Sequence, residues 1–469
     1  MATTKERVGG AARPRSLSGA GLVVLALGGL DFGLEQSLIV PALPAFADHY
    51  GASVSAVGWL VTGFLLSGIV AVPVLSRLGD IYGKRRLLLV TLAAFAAGSL
   101  VCALADSIGL VIAGRIIQGV GTAFAPLTYG LARDTMPRER VPRTIGLVVG
   151  ASGAGSGIGF LLSGFLIDRF SVAAIFWLLF AVAVALGIAT LAAVPESPVR
   201  ARVPVDIAGA TVLGLGLAAL LLAITKGDGW GWLSGRTLGL FAVAAVLLAC
   251  FAAIERRVRD PLVDLALVVR RPFAEANLCT AAFGLSFFIA VLLLPLIAGA
   301  SEDTGYGLGL STTGIGLVLF PTAVAAMAGG WVSGRIVSRL GSRITAASGA
   351  LIGLAAYLGL IAAHGSAAEL AAGSAALGFA WGLVITGVYM VVVRSVGADK
   401  TSVALAVTIL SRNTSAAVGT QAAFAIVAAT AVAGGLPGDA GFTRAYLMGA
   451  IGAGATLLLA LTLPGRHSR

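Results

Sequence analysis

The dominant pattern along this chain is a series of long apolar runs broken by short polar and charged segments. A helix that crosses a bilayer needs about 20 mostly apolar residues. Fourteen runs reach that length, at 18–46, 54–76, 86–105, 108–132, 143–166, 171–194, 206–225, 236–254, 273–299, 311–335, 343–362, 367–393, 402–430 and 444–463. The pattern predicts an all-α membrane protein with fourteen transmembrane spans.

Composition points the same way. The 469 residues are 58% hydrophobic and 11% charged, with a mean hydropathy of +0.99. Soluble domains have about 45–50% apolar and about 25% charged residues, so this chain has too few polar groups to cover a water-facing surface. Its 64 glycines suit membrane helices that approach closely. The segment 1–19 is basic and polar, without a short apolar stretch and cleavage site, and reads as a cytoplasmic tail.

Charge orients the spans. With the N-terminus placed inside, the inner segments carry 26 of the 32 Lys and Arg. Four lie in outer loops, Arg169, Lys226, Arg236 and Arg444, and two fall within spans, Arg115 and Arg412. This asymmetry predicts cytoplasmic N- and C-termini in an inner or plasma membrane. The net charge of +11 is therefore topological; it suits anionic lipid headgroups and not nucleic acid.

An internal repeat divides the chain. "SRLGDIYGKRR" (Ser76–Arg86) follows span 2, and "GRIVSRLGSRI" (Gly334–Ile344) follows span 10. Aligning Asp80 with Ser338 aligns Gly83 with Gly341 and Arg85 with Arg343. The offset is eight spans where two six-span halves alone would give six, so two spans are inserted. The expected division is 1–200 and 266–469 as six-helix bundles, with 201–265 as an inserted pair. Related bundles around a midplane cavity suit alternating access.

These residues resemble the major facilitator superfamily, and more narrowly its fourteen-helix drug:proton antiporter family. "RLGDIYGKRRLL" is similar to the signature G-x-L-x-D-R-x-G-R-K-x-x-L through Leu78, Asp80, Gly83, Lys84, Arg85 and Leu88, with Ser76 in place of the first Gly. "LVIAGRIIQGVGTA" resembles R-x-x-Q-G-x-G through Arg115, Gln118, Gly119 and Gly121. "LEQSLIVPALP" is similar to L-D-x-T-I-V-x-x-A-L-P, with Glu35 where Asp is usual. The inserted span beginning at Asp206 and the segment 251–273 also resemble that family. Span 5 departs from its G-x-x-x-G-P-x-x-G-G pattern: Gly155, Gly159 and Gly164 are kept, but Phe160 replaces Pro and Ser163 replaces a Gly. The resemblance implies a transporter, not an enzyme, driven by a proton gradient without another cofactor. It also implies gating by Asp80, Gly83, Lys84 and Arg85, with Asp80 pairing to cations of a neighbouring helix to hold the outward-open state; the alternative is a solvated charge cluster at a cytoplasmic loop.

The charged interior carries the candidate chemistry. Asp31 and Glu35 are four residues apart and share one helix face. Carboxylates inside a bilayer are costly and usually line a functional cavity. Burial favours the neutral acid and a nearby cation favours the carboxylate, so a carboxyl balanced between them can bind and release a proton. Arg115 is the candidate cation: it lies roughly 10 Å, and Glu35 roughly 15 Å, from the outer end of its span. We expect Glu35, Asp31 and Arg115 to couple transport to protons, with Glu35 titrating under the influence of Arg115 and Asp31 as a second carrier or a contact for cationic substrate. The alternative is an ion pair that only clamps two helices, with Asp31 bonded to backbone or water. Gln36, Trp59, Phe64, Gln118, Phe287, Phe288, Trp381, Tyr389, Arg412 and Asn413 are candidate substrate contacts, since aromatic faces suit amphiphilic or cationic organics. Each aromatic has the alternative of facing lipid or packing between helices, and Arg412 that of satisfaction by backbone carbonyls. Gly155, Gly159 and Gly164 fit close helix packing that can slide, and Phe160 should leave span 5 unbroken.

Other signals carry nothing. "GASGAGSGIG" lies in an apolar helix with no strand before it, unlike a dinucleotide loop. A P-loop lysine pattern is lacking. His49, His364 and His467 lack metal-ligand spacing, and Cys102, Cys250 and Cys279 read as packed thiols. The expectation is a monomeric proton-coupled exporter of amphiphilic or cationic small molecules. The rivals are a symporter or facilitator with the same acids, and a non-transporting sensor or scaffold.

Overall fold

The computed structural model describes residues 17–137, 140–198, 206–258, 270–396, 401–430 and 438–465. Residues 1–16 of the expected tail and both expected joints, near 200 and near 265, lie outside the described residues. Fourteen long helices follow the predicted spans. They are α1 (Gly19–Ile39), α2 (Val54–Tyr82), α3 (Lys84–Ala103), α4 (Ile108–Thr135), α5 (Val141–Arg169), α6 (Val172–Ala193) and α7 (Ile207–Trp230). They continue as α8 (Gly235–Glu255), α9 (Phe273–Gly299), α10 (Thr312–Leu340), α11 (Ser342–Ala362), α12 (Ala367–Ser395), α13 (Thr401–Ala428) and α14 (Asp439–Thr462). Thirteen are long and apolar enough to cross a bilayer. The other, α13, has the length at 28 residues, but Arg412, Asn413 and Gln421 interrupt its apolar run.

Two spans are less regular than expected. The first ends at Ile39, and the chain turns before a short helix, Leu43–Tyr50. Pro41 has no N–H for the carbonyl four residues earlier, which stops the helix. Glu35 therefore lies one turn from the end of α1. In α4, the residues Val120–Ala123 tighten to a 3-10 turn between two α-helical pieces. By contrast α5 runs unbroken past Phe160, whose backbone N–H is retained where proline would lack one.

Helix pairing bears the repeat. Within the first bundle α1 packs on α5, α2 on α4, α3 on α4 and α6, and α1 on α6. Each has its counterpart eight helices later: α9 on α13, α10 on α12, α11 on α12 and α14, and α9 on α14. The α2–α3 and α10–α11 turns are made alike, by Gly83 at φ 115° and Gly341 at φ 89°. Residues with a Cβ rarely adopt that region. The inserted α7 and α8 pack on each other, and α7 rests across the seam where α2 meets α13.

The α2–α3 and α10–α11 turns lie on what we term the basic face. The apolar core is continuous across the bundles on the opposite face and divided on the basic one. One continuous apolar core fills the opposite half, from Leu38 and Leu60 of the first bundle to Leu293, Leu319 and Phe424 of the second. In the basic half the core is divided. One cluster, including Leu88, Phe124 and Val148, belongs to the first bundle. Another, including Phe273, Val388 and Val407, belongs to the second bundle and the inserted pair, with Ile69 of α2.

Glycines set the closest approaches. A Cβ on Gly155 would strike the Leu30 carbonyl of α1, and one on Gly159 would lie 2.8 Å from the Leu34 carbonyl oxygen. Gly164 abuts the backbone of Thr313 at the start of α10, in the other bundle. Ser163, where the resemblance expected glycine, donates to the Leu38 carbonyl at 2.6 Å. That carbonyl stands at the frayed end of α1, so the serine caps α1 from α5. Cys102 and Cys279 are buried, but Cys250 is exposed on α8 and is not a packed thiol.

Candidate functional site

The first bundle holds a buried ion pair at its centre. Arg115 and Glu35 are each 2% exposed, and Arg115 Nη1 donates to Glu35 Oε1 at 3.0 Å. The same nitrogen donates to Gln118 Oε1 at 2.8 Å, and Arg115 Nε donates to the Leu60 carbonyl at 2.8 Å. Gln118 in turn donates to Ser99 Oγ at 2.7 Å. The guanidinium lies 4.4 Å from the centre of the Phe64 ring. The site thus draws on α1, α2, α3 and α4, and Glu35 is the partner that ties the arginine to α1. Phe64 and Gln118 are occupied with Arg115. Sequence reasoning passed over Ser99, one serine among many in an apolar helix, and Leu60, which contributes backbone alone.

Asp31 sits one turn before Glu35 and is 6% exposed. Its Oδ1 is buried without a hydrogen-bond partner. It borders a small cavity of about 20 Å³, room for about one water, shared with Glu35, Thr91, Phe95 and Phe124. A buried carboxylate oxygen lacking a donor is costly, and a proton, a water or a cationic group entering the cavity would satisfy it.

In the second bundle a different set converges. Phe287 of α9 lies 4.4 Å from Trp381 of α12 between ring centres, with Phe288 at 6.2 Å and Phe283 at 5.6 Å. The Arg412 guanidinium stands 5.1 Å from the Trp381 ring. It donates to Tyr389 Oη at 3.2 Å and to Asn413 Oδ1 at 3.1 Å. Its partners are side chains, where the sequence had left backbone carbonyls open. Gly284 lets α9 approach the Arg412 backbone and side-chain stem. So Phe287, Phe288, Trp381, Tyr389, Arg412 and Asn413 form one cluster. Trp59 is half-buried against the opposite-face core, and Gln36 is half-buried on α1, apart from this group.

A third constellation lies at the basic face. Lys84 Nζ bridges Asp80 at 2.8 Å and Asp134 at 2.6 Å, and both Lys84 and Asp134 are 4% exposed. Ser197 Oγ donates to Asp134 at 2.6 Å. Gly83 supplies the turn that folds Lys84 back over Asp80. The Arg85 guanidinium donates to the Leu191 carbonyl and its backbone N–H to Glu196 Oε1. Asp80 thus pairs with the cation at the start of the next helix. Asp134, which the sequence did not single out, lies in the charged stretch "ARDTMPRER" and resembles a solvated residue. Lys84→Met leaves Asp134 buried with one neutral donor and the exposed Arg133. The expected cost is about 3 kcal/mol, read as a fall in the thermal midpoint of the purified protein, with Lys84→Arg falling much less.

Comparison with known proteins matches this geometry to a family. The Major Facilitator Superfamily profile covers residues 25–420. The chain is 28% identical over 322 residues to the tetracenomycin C resistance and export protein of Streptomyces glaucescens, covering 68% of this chain and 59% of that protein. It is 28% identical over 411 residues to the multidrug resistance protein Stp of Mycobacterium tuberculosis, covering 87% of this chain and 74% of that protein. The structure superposes on a D-xylose-proton symporter with a TM-score of 0.65 at 16% identity, covering 95% of this chain and 97% of that one; at that identity the likeness concerns the fold. Two bundles repeated at an offset of eight helices, sharing one apolar core on one face, agree with the profile match: the chain belongs to the Major Facilitator Superfamily of membrane transporters.

Proposed function

We propose that this transporter exports amphiphilic small molecules from the cell in exchange for protons. The observation that carries the reading is the Glu35–Arg115 pair beside the unpartnered Asp31 carboxylate. Taking the basic face as cytoplasmic, in an inner or plasma membrane with both termini inside, the side whose core is divided admits substrate from the cell. The aromatic cluster of the second bundle offers it an apolar surface across from the acids. The resistance and export relatives support the direction.

The coupling follows from charge. With Glu35 ionised, Arg115 has its counterion and α1 is held to α4. A proton on Glu35 removes that counterion and leaves the guanidinium with Gln118, the Leu60 carbonyl and the Phe64 ring. The two states differ in how strongly α1 is held, and α1 abuts α5 through Gly155 and Gly159. Because α5 also meets α10 of the second bundle, a shift of α1 is felt at the seam between the bundles. Asp31, deeper on the same face, serves as a second proton acceptor.

The test is proton movement in proteoliposomes with a pH-sensitive dye inside. Substrate added to one side should drive protons the other way, and Glu35→Gln should abolish that movement while leaving the protein folded. Protons moving with the substrate would make it a symporter and overturn export. Full coupling in Glu35→Gln would remove Glu35 from the mechanism.

A further inference from the structure

The two arginines buried among the spans are treated differently. Arg115 has a carboxylate. Arg412 has none: its partners are Tyr389 and Asn413, both neutral, and the Trp381 ring. Among the described residues, no acidic side chain makes an ion pair with it. Arginine keeps its charge in proteins and offers five N–H donors. Nε and one N–H of Nη2 point to Asn413 Oδ1, and one N–H of Nη1 points to Tyr389, so each terminal nitrogen has a donor to spare.

Position makes this costly. Arg412 is eleven residues into α13, roughly 16 Å along its axis. That is mid-depth in a hydrocarbon core of about 30 Å, beyond the ordinary reach of headgroups. Charged side chains at that depth generally face a cavity and carry function. Two observations place this one on the gap between bundles. Trp381, whose ring the guanidinium faces, packs against an apolar cluster that also takes in Ile69 and Leu66 of α2 in the first bundle. Phe287 of the neighbouring α9 packs against both the core that spans the two bundles and the cluster of the basic half.

We propose that the transported molecule carries an acidic group, and that Arg412 binds it while Trp381, Phe287 and Phe288 take its aromatic body. A planar organic acid meets both needs: its carboxylate or phenolate fits the forked donors, and its ring stacks where the aromatic faces converge. The inference rests on the transport reading above and adds the charge of the substrate. An anionic lipid headgroup shares this chemistry, and the experiment separates the two sources.

The test uses the full chain in an uncharged detergent and two nitroaromatic quenchers of tryptophan, 4-nitrobenzoate and 4-nitrobenzylammonium. The Trp381 signal is taken as the difference between wild type and Trp381→Phe. 4-Nitrobenzoate should quench it saturably and at least about tenfold more tightly than the cation. Arg412→Gln should weaken the anion about tenfold or more, as expected for loss of a charged hydrogen-bond partner, and leave the cation unchanged. Arg412→Lys should weaken it less. The wild-type preference is decisive by itself should Arg412→Gln fail to fold. Phosphatidylglycerol, compared with phosphatidylcholine, should not displace the anion. Equal or tighter binding of the cation, no binding of either probe, an anion affinity untouched by Arg412→Gln, or displacement by phosphatidylglycerol would each overturn the proposal. Glu35→Gln should retain the anion preference. Loss of proton movement with that preference intact therefore argues against coupling alone, and intact coupling without the preference against this proposal alone.

Discussion

Arg115→Met should cost about 3–5 kcal/mol of stability, and adding Glu35→Gln to it should recover most of the loss. The single substitution leaves a carboxylate 2% exposed with its cation gone. It also leaves the Gln118 side-chain oxygen without the N–H it accepts and removes the guanidinium from the Phe64 face. Breaking a buried pair from one side costs more than removing both partners, because the remaining charge is desolvated without compensation. In the double variant the amide introduced by Glu35→Gln can pair with Gln118 at no charge cost. Thermal unfolding in detergent should therefore rank wild type highest, then the double variant, then Glu35→Gln, which leaves the guanidinium with neutral partners alone, with Arg115→Met clearly lowest. Residues that touch should show a coupling of about 0.5–3 kcal/mol in such a cycle. Purely additive losses would mean that the two charges do not sense one another, and the proton-coupling reading would lose its basis. All three variants should fail to couple substrate to protons, so stability and function separate: the double variant should fold and not couple.

Much of this arrangement was legible in the sequence. A bilayer imposes one length and one polarity on every span, so apolar runs locate helices directly. The ends of α9 and α12 follow from that rule with little error. The spacing of Asp31 and Glu35 placed both on one face, and the depth of Arg115 made it their natural partner. What could not be read depends on contacts between helices. The break after Ile39 has a local cause in Pro41, yet it was hidden because apolar residues continue on both sides. Asp134 is buried only because Lys84 folds back over it from α3, and nothing in its own segment distinguishes it from a solvated acid. Arg412 was visible as an isolated charge beside Asn413, but Tyr389 and Trp381 reach it from another helix. The same holds for Ser163: the sequence marks a lost glycine, whereas the structure gives the hydroxyl a carbonyl on α1.

Gly164→Leu should shift the protein away from the state described here without unfolding it. Gly164 meets the backbone of Thr313 at the first turn of α10, and Asp168, one turn later on α5, accepts from the Thr313 N–H at 3.0 Å. That carboxylate caps a helix of the other bundle, so the contact exists only while the opposite face is closed. A leucine there has no room against backbone, and overpacking of this kind costs about 1–3 kcal/mol. The clash is confined to the closed state. Its whole cost therefore appears as a difference between states, worth about 5- to 150-fold in their ratio. A cysteine placed at Ala323, on the α5–α10 seam, should then react faster from the opposite face with an impermeant maleimide, by about tenfold or more. Transport should fall because the bundles cannot return to the closed arrangement. Gly239→Leu, on α8 with open space around it, should change neither. Gly155→Leu supplies the contrast. It strikes α1 within one bundle, an interface that both states contain, so it should lower stability without raising labelling at position 323. Equal labelling in Gly164→Leu and wild type would mean that the α5–α10 contact does not set which face is sealed.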